Sequence, residues 1–230
     1  FERVEGVIAH EYFHNWTDNR VTCRDWFHLS LKEGLTVLRD QEFTADMNSR
    51  GVKRIDDVIK LRKMQFPEDA GPMAHPIRPD NYMEISNFYT LTVYEKGAEV
   101  IRMLHTLLGT ENYRKATDLY FERFDGMAVT CDDFVQCMQD ASGIDLTHFK
   151  LWYSQAGTPE ISATGHYDEA TRRYTLTLKQ SVPSTPGQAD KKPMHIPVSV
   201  GLVGPNGDDM VTQLLEMKDE EDVFIFENKI

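Results

Sequence analysis

The sequence predicts a multidomain chain of α and β structure. A mainly helical portion covers residues 1–157, and an antiparallel β-sandwich domain covers residues 158–230. Three observations predict this. Apolar residues recur at helical spacing up to about Gly157. After "QAGTPE" the period switches to two. And "GPNGDD" is a hairpin-type turn between two alternating stretches. The chain opens at Phe1 and stops at Ile230 inside a predicted strand, so it reads as an excerpt of a longer protein with the β unit truncated.

The elements follow in order. Val4, Val7, Ile8 and Tyr12 give a helical apolar spacing through the opening stretch, and Thr17-Asp18-Asn19 reads as a turn. A second helix is predicted from near Ser30 to about Asn48. A third runs from Asp56 to Gln65 and ends before Pro67. "PEDAGPMAHPIRPDNY" carries four prolines and must be a long loop, of the kind that tends to be functional. From Thr92 to Leu108 the residues Val93, Val100, Ile101, Leu104, Leu107 and Leu108 mark a core-facing stripe, with Gly109 as C-terminal cap. Thr110 caps the next helix, which packs Tyr113, Tyr120, Phe121 and Phe124. "TCDD" at Thr130 opens another with a capping-box-like start, and a last helix carries Phe149, Leu151 and Trp152. In the β unit, Tyr174, Leu176 and Leu178 alternate with polar residues. So do Ile196, Val198 and Val200, and then Val223 and Ile225.

Composition narrows the function. Lys and Arg number 25 against 37 Asp and Glu, a formal net charge of −12. No basic stripe exists, which argues against nucleic acid. No apolar run is long enough to span a membrane. Cys23, Cys131 and Cys137 form no CxxC pair and read as free thiols in a reducing, cytoplasmic setting. A monomer is expected.

The chemistry concentrates in "VIAHEYFHNWTDN". On a helix, residues four apart lie on one face, so His10 and His14 can point two imidazoles at one ion. Glu11 sits about 100° round the helix, beside such an ion rather than on it, where it can take a proton from an attacking water. HExxH is the pattern that binds zinc through both histidines and uses the glutamate as general base. Three fixed positions also occur by chance on the polar face of an ordinary helix, so the motif alone leaves both readings open.

A third ligand separates them, because catalytic zinc takes three protein ligands and leaves one position for water. The candidate is Glu33, eighteen residues beyond His14 in "SLKEGLTVLRD". Its competing role is a capping box, in which Glu33 folds back onto the Ser30 amide. Three points favour the ligand. Two antiparallel helices joined by a short excursion bring the two faces together. Thr17 and Arg20 stand where a metzincin needs Gly and His. And two histidines with one carboxylate are a known catalytic zinc set. Asp40, seven residues after Glu33 on the same face, is either an acceptor for a ligand histidine or a solvated charge. His28, His75, His105, His148, His166 and His195 have no partner at ligand spacing and read as loop or packing residues.

"VEGVIAHEYFHNWTDNRVTCRDWFHLSLKEGLTVLRDQEF", with "GPMAHPIRP", "NFYTLTVYEKGAEVIRMLHTLLG" and "WYSQAGTP", closely resembles the M1 family of zinc aminopeptidases, the aminopeptidase N type. The resemblance covers most of the chain. It implies a thermolysin-like (zincin) catalytic domain, its C-terminal part being residues 1–157, followed by the family's small sandwich domain. It implies one zinc ion held by His10, His14 and Glu33, a water activated by Glu11, and a Tyr94 hydroxyl that hydrogen-bonds the tetrahedral oxyanion. It implies peptide substrates with a free N-terminus, and Tyr89 as a lining residue for the first substrate side chain. Without the resemblance, Tyr94 is one of nine tyrosines with a packing role as its default.

Two departures stand out. The family's GxMEN segment, whose glutamate grips the substrate amine, is absent and is expected upstream of Phe1. And the family has Gly where this chain has Asp18, which suggests a left-handed backbone there, strained by ~1 kcal/mol or less. A zincin endopeptidase and a catalytically silent scaffold with a bound zinc stay open beside the aminopeptidase reading.

Overall fold

The computed structural model describes residues 1–227. The last three residues of the expected β unit, 228–230, lie outside the described residues. Helix α1 covers Glu2–Phe13 and α2 covers Leu29–Met47, with a 3-10 turn at Trp26–His28 between them. The chain continues as α3 (Arg50–Lys60), a π-helical turn (Leu61–Gln65) and α4 (Phe66–Asp69). A second π-helical turn (Thr92–Lys96) leads into α5 (Gly97–Phe124), followed by α6 (Cys131–Ser142) and α7 (Leu151–Ser154). Two short parallel strands, β1 (Thr22–Cys23) and β2 (Ala128–Val129), pin the segment after α1 to the end of α5.

The β unit holds β3 (Glu160–Asp168), β4 (Arg173–Ser181), β5 (Ile196–Val203), β6 (Asp209–Met217) and β7 (Glu221–Glu227). They form two antiparallel sheets, one ordered β3-β4-β7 and one pairing β5 with β6. The turn at "GPNGDD" closes β5 on β6, with Gly204 N–H on Asp208 O at 2.8 Å and Gly207 at φ 85°. That left-handed φ is why a glycine sits there.

One hydrophobic core runs through both parts. Leu104, Phe134, Phe149 and Trp152 join Leu176, Met194, Ile196, Met217 and Phe226 in a single cluster. The seam is stitched by side chains of α7 and its flank. Trp152 Nε1–H donates to His195 O at 2.8 Å, and the Gln155 amide exchanges two 2.9 Å hydrogen bonds with the Lys192 backbone.

Several expected boundaries move. The third helix starts at Arg50 rather than Asp56 and continues past Pro67 to Asp69. Pro67 is accommodated because it falls in the first turn after the π-helical break, where no N–H is required. The start is hard to see because this helix buries polar residues, Asp57, Gln65 and Asp69, and exposes Val52, Ile55 and Ile59. The same inversion holds in α1, where Val7 and Ile8 are 55% and 64% exposed and Ala9 is buried. The last helix is a single turn, with Phe149 in the turn before it. Gly109 kinks α5 with φ 73° and ψ 161°, a positive-φ break open to glycine rather than the αL cap expected there, and the helices expected on either side of it run on as one element. Thr130 closes a true capping box with Asp133.

Candidate metal centre

Helices α1 and α2 pack against each other, and their facing sides carry the charged residues. Helix α2 begins at Leu29 and is entered from the turn at Trp26–His28, whose cap is Asp25 accepting from Phe27 N–H. Ser30 is therefore inside the helix. Its hydroxyl lies 3.9 Å from the Cys131 sulfur, and no capping box engages Glu33. That frees the Glu33 carboxylate to turn inward, where the residue is only 3% exposed.

The structure brings His10, His14 and Glu33 together. The two Nε2 atoms are 3.1 Å apart, and Glu33 Oε2 lies 3.4 Å from each. Donors about 2.0–2.2 Å from one tetrahedral ion stand ~3.3–3.6 Å from each other, so the spacing fits a small divalent metal. Glu33 Oε2 is buried and has no hydrogen-bond partner, and such an atom is costly unless something positive meets it. Among the described residues this is the one cluster of three His, Cys, Asp or Glu donors close enough to share an ion.

The electrostatics agree with the donor set. Burial works against the Glu33 charge, but the facing His10 and His14 imidazoles and the nearby Lys32 ammonium hold its carboxyl down at about 2. Burial likewise works against protonated His10, and the Asp40 and Glu33 carboxylates outweigh it, holding the imidazole up at about 9. Asp40 Oδ2 sits 2.7 Å from His10 Nδ1, which turns Nε2 toward the site. Asp40 is thus an acceptor for a candidate ligand rather than a solvated charge.

Glu11 and Tyr94 line the same cleft of about 630 Å³ as His10 and Asp40. Tyr94 lies in the second π-helical turn, its ring nearly parallel to that of His10 with centroids 6.3 Å apart. Burial, then the Glu33 carboxylate, Tyr89 and Glu11, push its hydroxyl above the ordinary phenol range, so it stays a proton-bearing donor. Tyr89 is half exposed with its ring 6.4 Å from that of Tyr94, which keeps it within the neighbourhood.

Asp18 does not have the left-handed backbone expected of it; among the described residues Arg172 is the one non-glycine with positive φ. Its carboxylate accepts from Lys32 at 2.7 Å instead and ties the end of the α1 segment to α2. The remaining histidines have ordinary roles where the structure partners them. His28 Nδ1 accepts from Cys131 N–H, His75 sits between Thr90 and Pro76 O, and His148 meets Pro193 O. The three cysteines are free, and burial pushes the Cys23 and Cys131 thiols up to about 12.

Two features around the site went unseen in the sequence. The helices bearing Glu33 and following Tyr94 touch backbone to backbone at Gly34 and Gly97. A Cβ on Gly34 would come within 2.8 Å of the Gly97 carbonyl carbon. And Lys96, two residues beyond Tyr94, is buried against Asp69 at 2.6 Å. A glycine one residue after each of "KE" and "EK" was the only available signal for the first. The second had none, because its partners lie in a Pro-rich segment.

Comparison with known proteins places this geometry in a family. Residues 1–153 match the peptidase family M1 domain. Residues 157–229 match the "Domain of unknown function (DUF3458) Ig-like fold". The chain is 60% identical to aminopeptidase N of Escherichia coli over 98% of its own length and 27% of that protein. It is 55% identical to aminopeptidase N of Haemophilus influenzae over 97% of its length and 27% of that protein. It thus spans about a quarter of the length of these relatives. The crystal structure of Legionella pneumophila aminopeptidase A in complex with aspartic acid superposes with a TM-score of 0.82 at 34% identity, over 98% of this chain and 24% of that one. The chain therefore belongs to peptidase family M1 and is of the aminopeptidase N type.

Proposed function

We propose that this chain carries the zinc site of a metalloaminopeptidase that removes the N-terminal residue from peptides. In this reading residues 1–157 carry the chemistry and residues 158–230 form a β-sandwich domain beside it. The observation that carries the reading is the buried, unpartnered Glu33 Oε2 facing two imidazole nitrogens at 3.4 Å. His10, His14 and Glu33 would hold the ion. Zinc bound there supplies a Lewis acid that polarises the scissile carbonyl and acidifies water.

The chain's own residues do the rest. Asp40 orients His10 through Nδ1. Glu11 projects into the cleft next to His10 without joining the donor cluster, so it takes the proton from the attacking water and passes it to the leaving amine. The Tyr94 hydroxyl donates to the carbonyl oxygen as negative charge develops there, an interaction stronger in the transition state than with substrate. Tyr89 lines the space for the first side chain. Substrates are peptides with a free N-terminus, and the protein acts as a monomer in the cytoplasm. Among the described residues no helix is long and apolar enough to cross a membrane.

Glu11→Gln in the full-length protein is expected to keep stoichiometric zinc and lose kcat on an amino-acid anilide by at least about 100-fold. Retained turnover would remove Glu11 as the base. A parallel assay on free-amine and N-acetylated peptides tests the exopeptidase reading. Equal hydrolysis of both would make the enzyme an endopeptidase, and stoichiometric zinc with no hydrolysis of either would make it a scaffold.

A further inference from the structure

The turn that bears Tyr94 is held at both ends by two consecutive acidic residues. Thr92 and Lys96 are the first and last residues of this π-helical turn, and both are buried. Glu68 Oε1 accepts from Thr92 N–H at 2.7 Å and from the Thr92 hydroxyl at 2.6 Å. Asp69 Oδ2 accepts from Lys96 Nζ at 2.6 Å. The same Asp69 carboxylate accepts from Gly157 N–H and the Thr158 hydroxyl, both at 2.9 Å, and Lys96 donates a further bond to Gly157 O at 3.0 Å.

We propose that Glu68 and Asp69 are positioning residues for Tyr94: together they clamp the π-helical turn at Thr92 and at Lys96 and so fix where the Tyr94 hydroxyl points. The proposal rests on the reading of Tyr94 as the oxyanion donor. Its physical basis is the turn itself. A π-helical turn is a wide, rarely stable geometry that persists where surrounding groups hold it. Here the holding groups come from the other such turn, Leu61–Gln65, and the short helix α4 beyond it. Gln65 Nε2 donates to the Thr92 hydroxyl at 3.2 Å, so three residues of one bulged helix grip the other. A Tyr94 hydroxyl displaced by ~1 Å would cost about 10- to 100-fold in rate.

The clamp also reaches the junction between the two parts. Asp69 binds Lys96 and the Gly157–Thr158 backbone and hydroxyl at once, so the segment entering the β unit shares a charge cluster with the Tyr94 turn.

The test is a double-mutant cycle in the full-length protein, with rates normalised to zinc content. Glu68→Ala is expected to lower kcat about 10- to 100-fold with KM and zinc content near wild type. Glu68→Gln, which keeps an acceptor oxygen for Thr92, is expected to recover most of that loss. In a Tyr94→Phe background, Glu68→Ala is expected to add nothing, because the hydroxyl it positions is gone. Thr92→Val keeps the side-chain volume and deletes the hydroxyl's bonds to Glu68 and Gln65 while sparing the Thr92 N–H bond to Glu68, so its kcat should fall below wild type. Wild-type kcat in Glu68→Ala, or losses that multiply with Tyr94→Phe, would overturn the clamp while leaving Tyr94's role intact. A Tyr94→Phe enzyme with wild-type kcat would instead remove the role of Tyr94, and the clamp with it.

Discussion

His10 is the residue whose surroundings decide most. Two carboxylates face it, Asp40 on Nδ1 and Glu33 near Nε2, and they hold its proton up to about 9 against an ordinary value of 6.5. A metal ligand must be neutral, so ion and proton compete for the same nitrogen. The sign follows: zinc affinity should rise by about tenfold per pH unit from 6.5 and level off only near 9. A chelator competition series over that range measures it, and an affinity already flat above pH 7 would contradict the assignment. Glu33 works in the other direction. Its carboxyl is held down at about 2, so its contribution to stability is full above the ordinary carboxyl range and is lost as pH falls toward 2. For Tyr94, replacement by Phe should lower kcat by about 100- to 1,000-fold with little change in KM, as for loss of a single oxyanion donor. Steady-state rates on an anilide decide it, and equal effects on kcat and KM would argue against a role confined to the transition state. At this scale the candidate ligands were legible: helix geometry turns the four-residue spacing of His10 and His14 into proximity, and Glu33, on the next helix, was found by its eighteen-residue gap and is brought in by the packing of α1 against α2. Tyr94 was legible only through resemblance. Nothing about a tyrosine at a helix start announces a role, and its approach to His10 depends on packing between distant segments.

Among the elements, the crossing of α2 and α5 sets how close Glu33 can come to Tyr94. Gly34 and Gly97 meet there with no side chain between them. A methyl on Gly34 would be driven into the Gly97 backbone at 2.8 Å, so the helices would have to part. Gly34→Ala should destabilise the fold by about 1–3 kcal/mol, as overpacking does, and should weaken zinc binding as well. Gly97→Ala, whose Cβ would lie 3.3 Å from Gly34 Cα, should be milder. Urea melts with a zinc readout rank the two, and identical behaviour would mean that the crossing does not constrain the site. In α5 the apolar stripe read from the sequence is the buried face, although the two helices expected on either side of Gly109 form one kinked element, and α6 was found through its capping-box start at Thr130. Helix positions were misread at the start of α3, and the stripe of α1 faces outward. In both helices the inward side carries polar groups, such as His10 in α1 and Asp57 in α3, so periodicity found the helix but not its buried side.

Across the whole molecule, helices and sheets share one core and one buried ion pair at their junction. Removing a single member of such a pair strands the other charge. Lys96→Met should therefore destabilise by about 3–5 kcal/mol, and Lys96→Met with Asp69→Asn should be less harmful than Lys96→Met alone. Denaturant midpoints at unchanged slope measure this, and a double variant worse than the single would show that Asp69 acts mainly through Gly157 and Thr158. The two-part architecture was legible because the apolar period changes from helical to alternating. The junction was not, because Asp69 reaches Gly157 across 88 residues of sequence. The seam between the two parts has a further consequence for how such chains can diverge. Trp152 and Gln155 bind main-chain groups of His195 and Lys192, not their side chains. Main-chain groups are the same whatever residue is present, proline with its missing N–H excepted. The helical side of the seam is therefore held to particular letters, while Lys192 on the β side can become any residue but proline. His195 has no such freedom, because its buried ring also packs against His148 and Phe149, so a β unit transplanted from a distant relative would dock here only if its backbone followed the same path and its residue at that position filled the same space.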